Sequence, residues 1–207
     1  MSRARTLILV PMKDPARAKT RLADRLAPAD RACLAALLFR RTLDLLEPLA
    51  GDLDARVAVV TGGAEAAATA RARAIPVVAE PPRATLNTAL AAGAAWAAEQ
   101  GHARLCVIPA DLAAPDPTDV AAFLASEAAV TVCPSADQGT NALLLDPPGT
   151  LDFRYGPRSA ARHMAQARAR GLSARLLPFE SLSFDIDTGA CLDRALGVGA
   201  LDPATLP

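Results

Sequence analysis

In TLILVPMKDPARAKTRL, residues 6–22, an apolar, β-branched run stops at Pro11 and gives way to a polar stretch carrying Lys13, Arg17, Lys19 and Arg21. A short apolar run closed by proline, glycine or a polar residue reads as a buried strand. RVAVVTG (56–62), PVVAE (76–80), RLCVIPAD (104–111) and AVTVCP (129–134) have the same form. Between them, Ala- and Leu-rich stretches at 30–47, 63–74, 86–100 and 116–126 carry helical spacing. Strand alternating with helix implies right-handed crossovers and a mostly parallel sheet covered by helices on both faces. After residue 134 the pattern changes to NALLLDP, a helix over about 159–170, then ARLLPF and SFDID, which predict added strands, some of them antiparallel. The fold class is therefore α/β: one domain over 1–207 with a mixed, mostly parallel sheet, and a loose C-terminal tail from about 197 to 207.

Composition narrows the function. The 207 residues carry a formal net charge of zero and few aromatics, which argues against nucleic acid as a partner and favours a small ligand. No apolar run approaches the roughly 20 residues that span a bilayer, and TLILVP is too short and wrongly flanked for a signal peptide, so no membrane partner and a cytoplasmic location are expected. Cys33, Cys106, Cys133 and Cys191 show no paired spacing and are expected as small buried apolar residues. Lysine occurs only at 13 and 19, and asparagine only at 87 and 141, in a chain that otherwise uses arginine and alanine freely.

In a sheet of this kind the ligand sits outside the carboxyl ends of the strands. PMKDPARAKTRL follows the first strand, EPPRATLN the third, PADLAAPD the fourth and PSADQGTN the fifth. These four loops hold both lysines, both asparagines and Asp111, so the rare residues converge on the expected ligand edge.

FDIDT, 184–188, places two carboxylates one residue apart. On a strand, Asp185 and Asp187 project from one face and Phe184 and Ile186 from the other. Like charges that close need a positive partner, and a hard divalent cation supplies one, with Asp111 as a third ligand. The alternative for either residue is capping of the helix that begins near Thr188. The lysine loop lacks the P-loop and GxGxxG patterns, yet beside a carboxylate site it suits a polyphosphate. QGTN supplies the Thr140 hydroxyl and the Asn141 amide, and Ser159 opens a helix whose free N–H groups favour an anion, unless it is simply an N-cap. Asn87 either reads a base edge or ribose, or caps its helix. His163 is expected as a packed or surface histidine.

Taken in order, PMKDPARAKTRL, EPPRATLN, PADL, QGTNALLL, YGPRSAARH and FDIDT resemble the 2-phospho-L-lactate guanylyltransferase family, which includes enzymes acting on phosphoenolpyruvate or 3-phosphoglycerate in the biosynthesis of a deazaflavin coenzyme. The resemblance spans nearly the whole chain. It implies a nucleotide-diphospho-sugar-transferase-like fold, GTP and a small phospho-acid as substrates, Mg2+ as cofactor, and a homodimer as one possible assembly. Carried over by position, Asp111, Asp185 and Asp187 hold metal; Lys13, Lys19, Glu80 and Asn87 face the nucleotide; Thr140, Asn141, Gly156, Arg158 and Ser159 face the acid; and Lys13, Lys19, Arg21 and Asp111 carry catalysis. Ala84-Thr85 stands where the family has glycine before LN, Gln138 replaces one of two glycines before TN, and Ala113 replaces a proline. Arg158 and Ala160 replace parts of a small Gly-Ser-Phe segment, and Arg158 is expected to contact a carboxylate or added hydroxyl of the acid.

The reaction expected is in-line attack by an acceptor phosphate oxygen on the α-phosphorus of GTP, expelling pyrophosphate. Two rivals share the motifs: a metal-dependent sugar-nucleotide glycosyltransferase, which would release a nucleoside diphosphate, and a GTP-binding homologue that has lost catalysis.

Overall fold

A computed structural model describes residues 5–205; residues 1–4 and the last two of the expected tail, 206 and 207, lie outside them. The chain runs β1 (Thr6–Pro11), α1 (Pro28–Asp52), β2 (Ala55–Thr61), α2 (Ala64–Ala72), β3 (Val77–Ala79), α3 (Leu86–Glu99), β4 (Arg104–Val107) and α4 (Pro117–Leu124). It continues through β5 (Val130–Pro134), β6 (Thr140–Leu145), α5 (Ser159–Ala169), β7 (Ala174–Leu176), α6 (Glu180–Ser183) and α7 (Gly189–Gly197). The seven strands form one sheet in the order β3-β2-β1-β4-β6-β5-β7. β1, β2, β3 and β4 run parallel to one another, whereas β6 runs antiparallel to both β4 and β5, and β7 is parallel to β5.

Both faces of the sheet are covered because the strands are apolar on both faces. Ile8, Val10, Val57 and Val59 pack with Phe39, Leu43 and Leu46 of α1 and Phe123 of α4. Leu7, Leu9, Ala58 and Val60 point the other way, into a cluster that holds Ala89, Leu90 and Ala94 of α3 and, over β5, Ala160 and Ala167 of α5. Gly93 lets α3 lie close on β1: a Cβ there would overlap the Leu9 side chain. A third cluster, Leu22, Leu34, Leu38, Ile186, Leu192 and Leu201, closes the carboxyl end of the sheet and packs beneath the FDIDT segment.

Several expectations are corrected. SFDID is not a strand: α6 ends at Ser183, and Asp185 makes only an isolated antiparallel bridge with Leu112. RLCVIPAD pairs as strand only to Val107, because the chain then turns out to present Asp111. The stretch after Leu196 is not loose where it is described: Leu201 is 1% exposed, and Arg41 donates to the Ala200 carbonyl. Helix α1 continues through Pro48, since Ala50 beyond it is buried against the sheet. Cys33 is exposed and Cys191 half-buried, so the apolar reading holds for Cys106 and Cys133 only.

Candidate active site

The carboxylates are brought together by backbone hydrogen bonds. Ile186 N–H donates to the Asp111 carbonyl at 3.1 Å, and Ala113 N–H to the Phe184 carbonyl at 2.9 Å, so the loop after β4 and the segment after α6 are zipped side by side. Ile186 is fully buried and anchors the segment from below. Its neighbours on either side, Asp185 and Asp187, therefore both rise toward Asp111. One carboxylate oxygen of each of the three lies within 4.8 Å of the other two. The neighbouring helix is capped by Thr188, whose hydroxyl accepts from Cys191 N–H, which leaves neither aspartate needed as a cap.

Lys19 fills the gap between them. Its ammonium donates to Asp111 Oδ2 at 2.7 Å and to Asp187 Oδ1 at 3.1 Å, and its side chain is 4% exposed. Burial works against its charge, but the two carboxylates outweigh burial and hold its pKa above the usual lysine value. Arg21 lies 3.7 Å from the other oxygen of Asp187 and is exposed. Asp185 is pushed up to about 6, first by burial and then by the charges of Asp111 and Asp187, against a hydrogen bond from Asn141 Nδ2 at 3.3 Å. Three convergent oxygen ligands with a cation already between two of them fit a hard divalent ion such as Mg2+.

A cleft of about 350 Å3 opens beside this cluster. Its wall is built by Lys13, Arg17, Lys19, Glu80, Thr85 and Leu86, and its floor includes Asp111 and Asp187. Gly63 lets the lysine loop pass close by, since a Cβ there would come within 2.8 Å of the Asp14 backbone. Burial raises the pKa of Glu80, against the pull of Lys13 and a bond from the Gly62 N–H.

The residues expected around the acid lie on the other side of Asp185, and most of their polar atoms are already committed. His163 Nε2 accepts from Arg154 N–H at 3.0 Å, which places its proton on Nδ1, 3.1 Å from Thr140 Oγ1. Ser159 Oγ donates to the same Thr140 oxygen at 3.0 Å. Thr140 thus receives two hydrogen bonds and keeps its own proton to donate. His163 is fully buried, and its pKa is lowered to about 4 by burial and then by Arg162 and Arg154, so it is a packed, neutral histidine.

Two expectations for this region change. Arg158, in the left-handed region at φ 52°, is the N-cap of α5, and Ser159 is the first residue inside it, fully buried. Ser159 N–H is spent on the Gly156 carbonyl and Ala160 N–H on that of Gln138, so the start of α5 is not an open anion cradle. Asn87 neither caps α3 nor presents a free amide. Thr85 caps the helix, and Asn87 clamps the Tyr155 backbone, accepting from its N–H at 2.7 Å and donating to its carbonyl at 3.4 Å. Sequence reading had no signal for the Asn87–Tyr155 or Thr140–His163 pairings, which depend on how α3, β6 and α5 pack.

Residues 6–198 match the model of the family described as "Guanylyl transferase CofC like". The chain is 36% identical over 195 residues to a phosphoenolpyruvate guanylyltransferase of Sphaerobacter thermophilus, covering 93% of each chain. It is 32% identical over 187 residues to a 3-phospho-D-glycerate guanylyltransferase of Colwellia psychrerythraea, covering 89% of this chain and 88% of that one. Among solved structures, a nucleotidyl transferase from Methanothermobacter thermautotrophicus superposes with a TM-score of 0.63 at 14% identity, over 94% of this chain and 99% of that one. A nucleotide-diphospho-sugar transferase candidate from Desulfovibrio desulfuricans G20 does so with a TM-score of 0.69 at 17% identity, over 89% and 83%. With the family model matching nearly its whole length, the chain belongs to the CofC-like guanylyl transferases.

Proposed function

We propose that this protein transfers GMP from GTP to a three-carbon phospho-acid and releases pyrophosphate, as a magnesium-dependent step in deazaflavin coenzyme biosynthesis. The observation that carries the reading is the meeting of Asp111, Asp185 and Asp187 beside a cleft that is walled by Lys13, Arg17 and Glu80 and lined by Asp111 and Asp187. The names of the relatives support the guanylyl donor and the class of acid.

Asp111, Asp185 and Asp187 would hold the magnesium, which when bound supplies positive charge at the reacting phosphate and a template for in-line attack. Lys13 offers a point charge to the triphosphate and Arg17 a planar fork. As negative charge gathers on the α-phosphate and the leaving pyrophosphate, these cations would stabilise it. Glu80, on the same wall, accepts from the N–H groups on the edge of guanine. The acid enters from the Asp185 side, where Thr140 has one hydroxyl proton left to donate and Gly156 and Arg158 form the turn before α5. The acceptor phosphate is already ionised near neutral pH, so the reaction needs no base, and His163 is not offered as one.

The test is incubation with GTP and magnesium and, in separate reactions, 2-phospholactate, phosphoenolpyruvate or 3-phosphoglycerate. Pyrophosphate release that depends on one of the acids is the expected result. No pyrophosphate with any of them, or a nucleoside diphosphate in its place, overturns the proposal.

A further inference from the structure

We propose that Lys19 is a built-in cation that holds the carboxylate cluster together in the metal-free protein and leaves it when a divalent ion binds. The inference rests on the reading of Asp111, Asp185 and Asp187 as metal ligands.

Lys19 is placed for this by its backbone. It lies between two short 3-10 turns, Pro15–Arg17 and Thr20–Leu22, in the left-handed region at φ 54°, with its carbonyl accepting from Leu22 N–H. That geometry turns its side chain away from the exposed course of Lys13, Arg17 and Arg21 and into the cluster. Without a cation there, three carboxylates would face one another in a partly buried site, and repulsion would spread them. The ammonium touches the Asp111 and Asp187 oxygens at 2.7 and 3.1 Å. Magnesium takes carboxylate oxygens at about 2.0–2.1 Å. A divalent ion drawing on those oxygens would stand against the ammonium with like charge, and the monovalent group on a flexible four-carbon stem is the one that yields. Lys19 also lines the cleft wall, so on leaving the carboxylates it stays where the proposed triphosphate would lie. Its charge passes from protein carboxylates to nucleotide phosphate, which couples metal binding to nucleotide binding.

Binding of Mn2+ alone, read by electron paramagnetic resonance of the free ion, distinguishes the cases. Lys19→Met keeps an apolar stem without the charge and is expected to bind Mn2+ about tenfold tighter than the wild type or better, within the range of ordinary coupling effects. Lys19→Arg, which keeps a positive charge, is expected to bind no tighter than the wild type. Equal or weaker binding by Lys19→Met overturns the inference and leaves the metal ligands standing. Absence of Mn2+ binding from both wild type and variant overturns the metal reading itself.

A second measurement needs no stable variant. Lysine occurs only at 13 and 19, so protein labelled with 13C at lysine Cε gives two side-chain signals. Lys13 is exposed and Lys19 buried, which identifies them. Magnesium is expected to move the Lys19 signal toward that of a solvated lysine. A Lys19 signal that stays in place while the protein binds Mn2+ contradicts the proposal.

Discussion

Around β1 to β4, Lys13, Arg17 and Glu80 line an open cleft, whereas around β5 to β7, Thr140, Ser159 and His163 bond to one another in the interior. The difference follows from topology. Parallel strands end together at one edge, and each hands its chain to a loop that must leave the sheet there, so polar side chains collect in the open. β6 enters from the opposite direction, and its first residues, Thr140 and Asn141, are covered by α5 and by the segment carrying Asp185. One half presents charges to a ligand; the other spends most of its hydroxyls and amides on holding a turn in shape and keeps the Thr140 proton to donate. Asp185 stands at the boundary, bonded to Asn141 on one side and facing Asp111 and Asp187 on the other.

The largest effect is expected at that boundary. Asp185→Asn removes a ligand oxygen's charge while keeping its shape, and pyrophosphate release should fall on the order of a thousandfold. Its melting temperature without metal should hold or rise, because a buried like charge is relieved; a lower melting temperature with intact activity would place Asp185 with the structural half.

Next is the response of the closed half to acid. The His163 pKa is lowered in the fold to about 4, below its ordinary value, so the unfolded chain takes up the proton first as pH falls. The stabilisation is whole above about pH 6.5 and is lost progressively toward pH 4, amounting to roughly 3 kcal/mol. Urea unfolding across that window should show the loss in the wild type and a flatter profile in His163→Gln. Equal slopes would mean that His163 is not the buried neutral group described.

Asn87→Ala tests whether the clamp on Tyr155 belongs to the closed half. Loss of two hydrogen bonds that shape the acceptor-side turn should raise KM for the acid about tenfold, with KM for GTP unchanged. A rise confined to GTP would return Asn87 to the nucleotide. The smallest effect is expected at Gln138, which sits at φ 68°. Gln138→Gly should add about 1 kcal/mol of stability, measured by chemical denaturation, without altering either KM.

Strands and helices were legible because apolar runs closed by Pro or Gly have few other uses. The carboxylates were legible because Asp185 and Asp187, two apart and flanked by Phe184 and Ile186, needed a positive partner in any extended conformation. That conformation came from bonds to Asp111 and Ala113 and not from a strand, yet alternation survived since Ile186 still had a core to enter. The lysine loop was legible as positive, but not which lysine would turn inward: that is set by the φ of Lys19, which no composition reveals. Asn87 and Ser159 misled for a related reason. Amides and hydroxyls serve ligand and backbone equally well, and their partners here lie 68 and 19 residues away along the chain. The docking of Leu201 likewise depends on a pocket assembled from Leu22, Leu34 and Leu38.

Anomalous diffraction from crystals grown with Mn2+ and GTP bears most directly on the carboxylate cluster. The account predicts a manganese peak bonded to oxygens of Asp111, Asp185 and Asp187, with the Lys19 ammonium withdrawn toward the phosphates. Manganese bound elsewhere, with Lys19 still bridging Asp111 and Asp187, would contradict it.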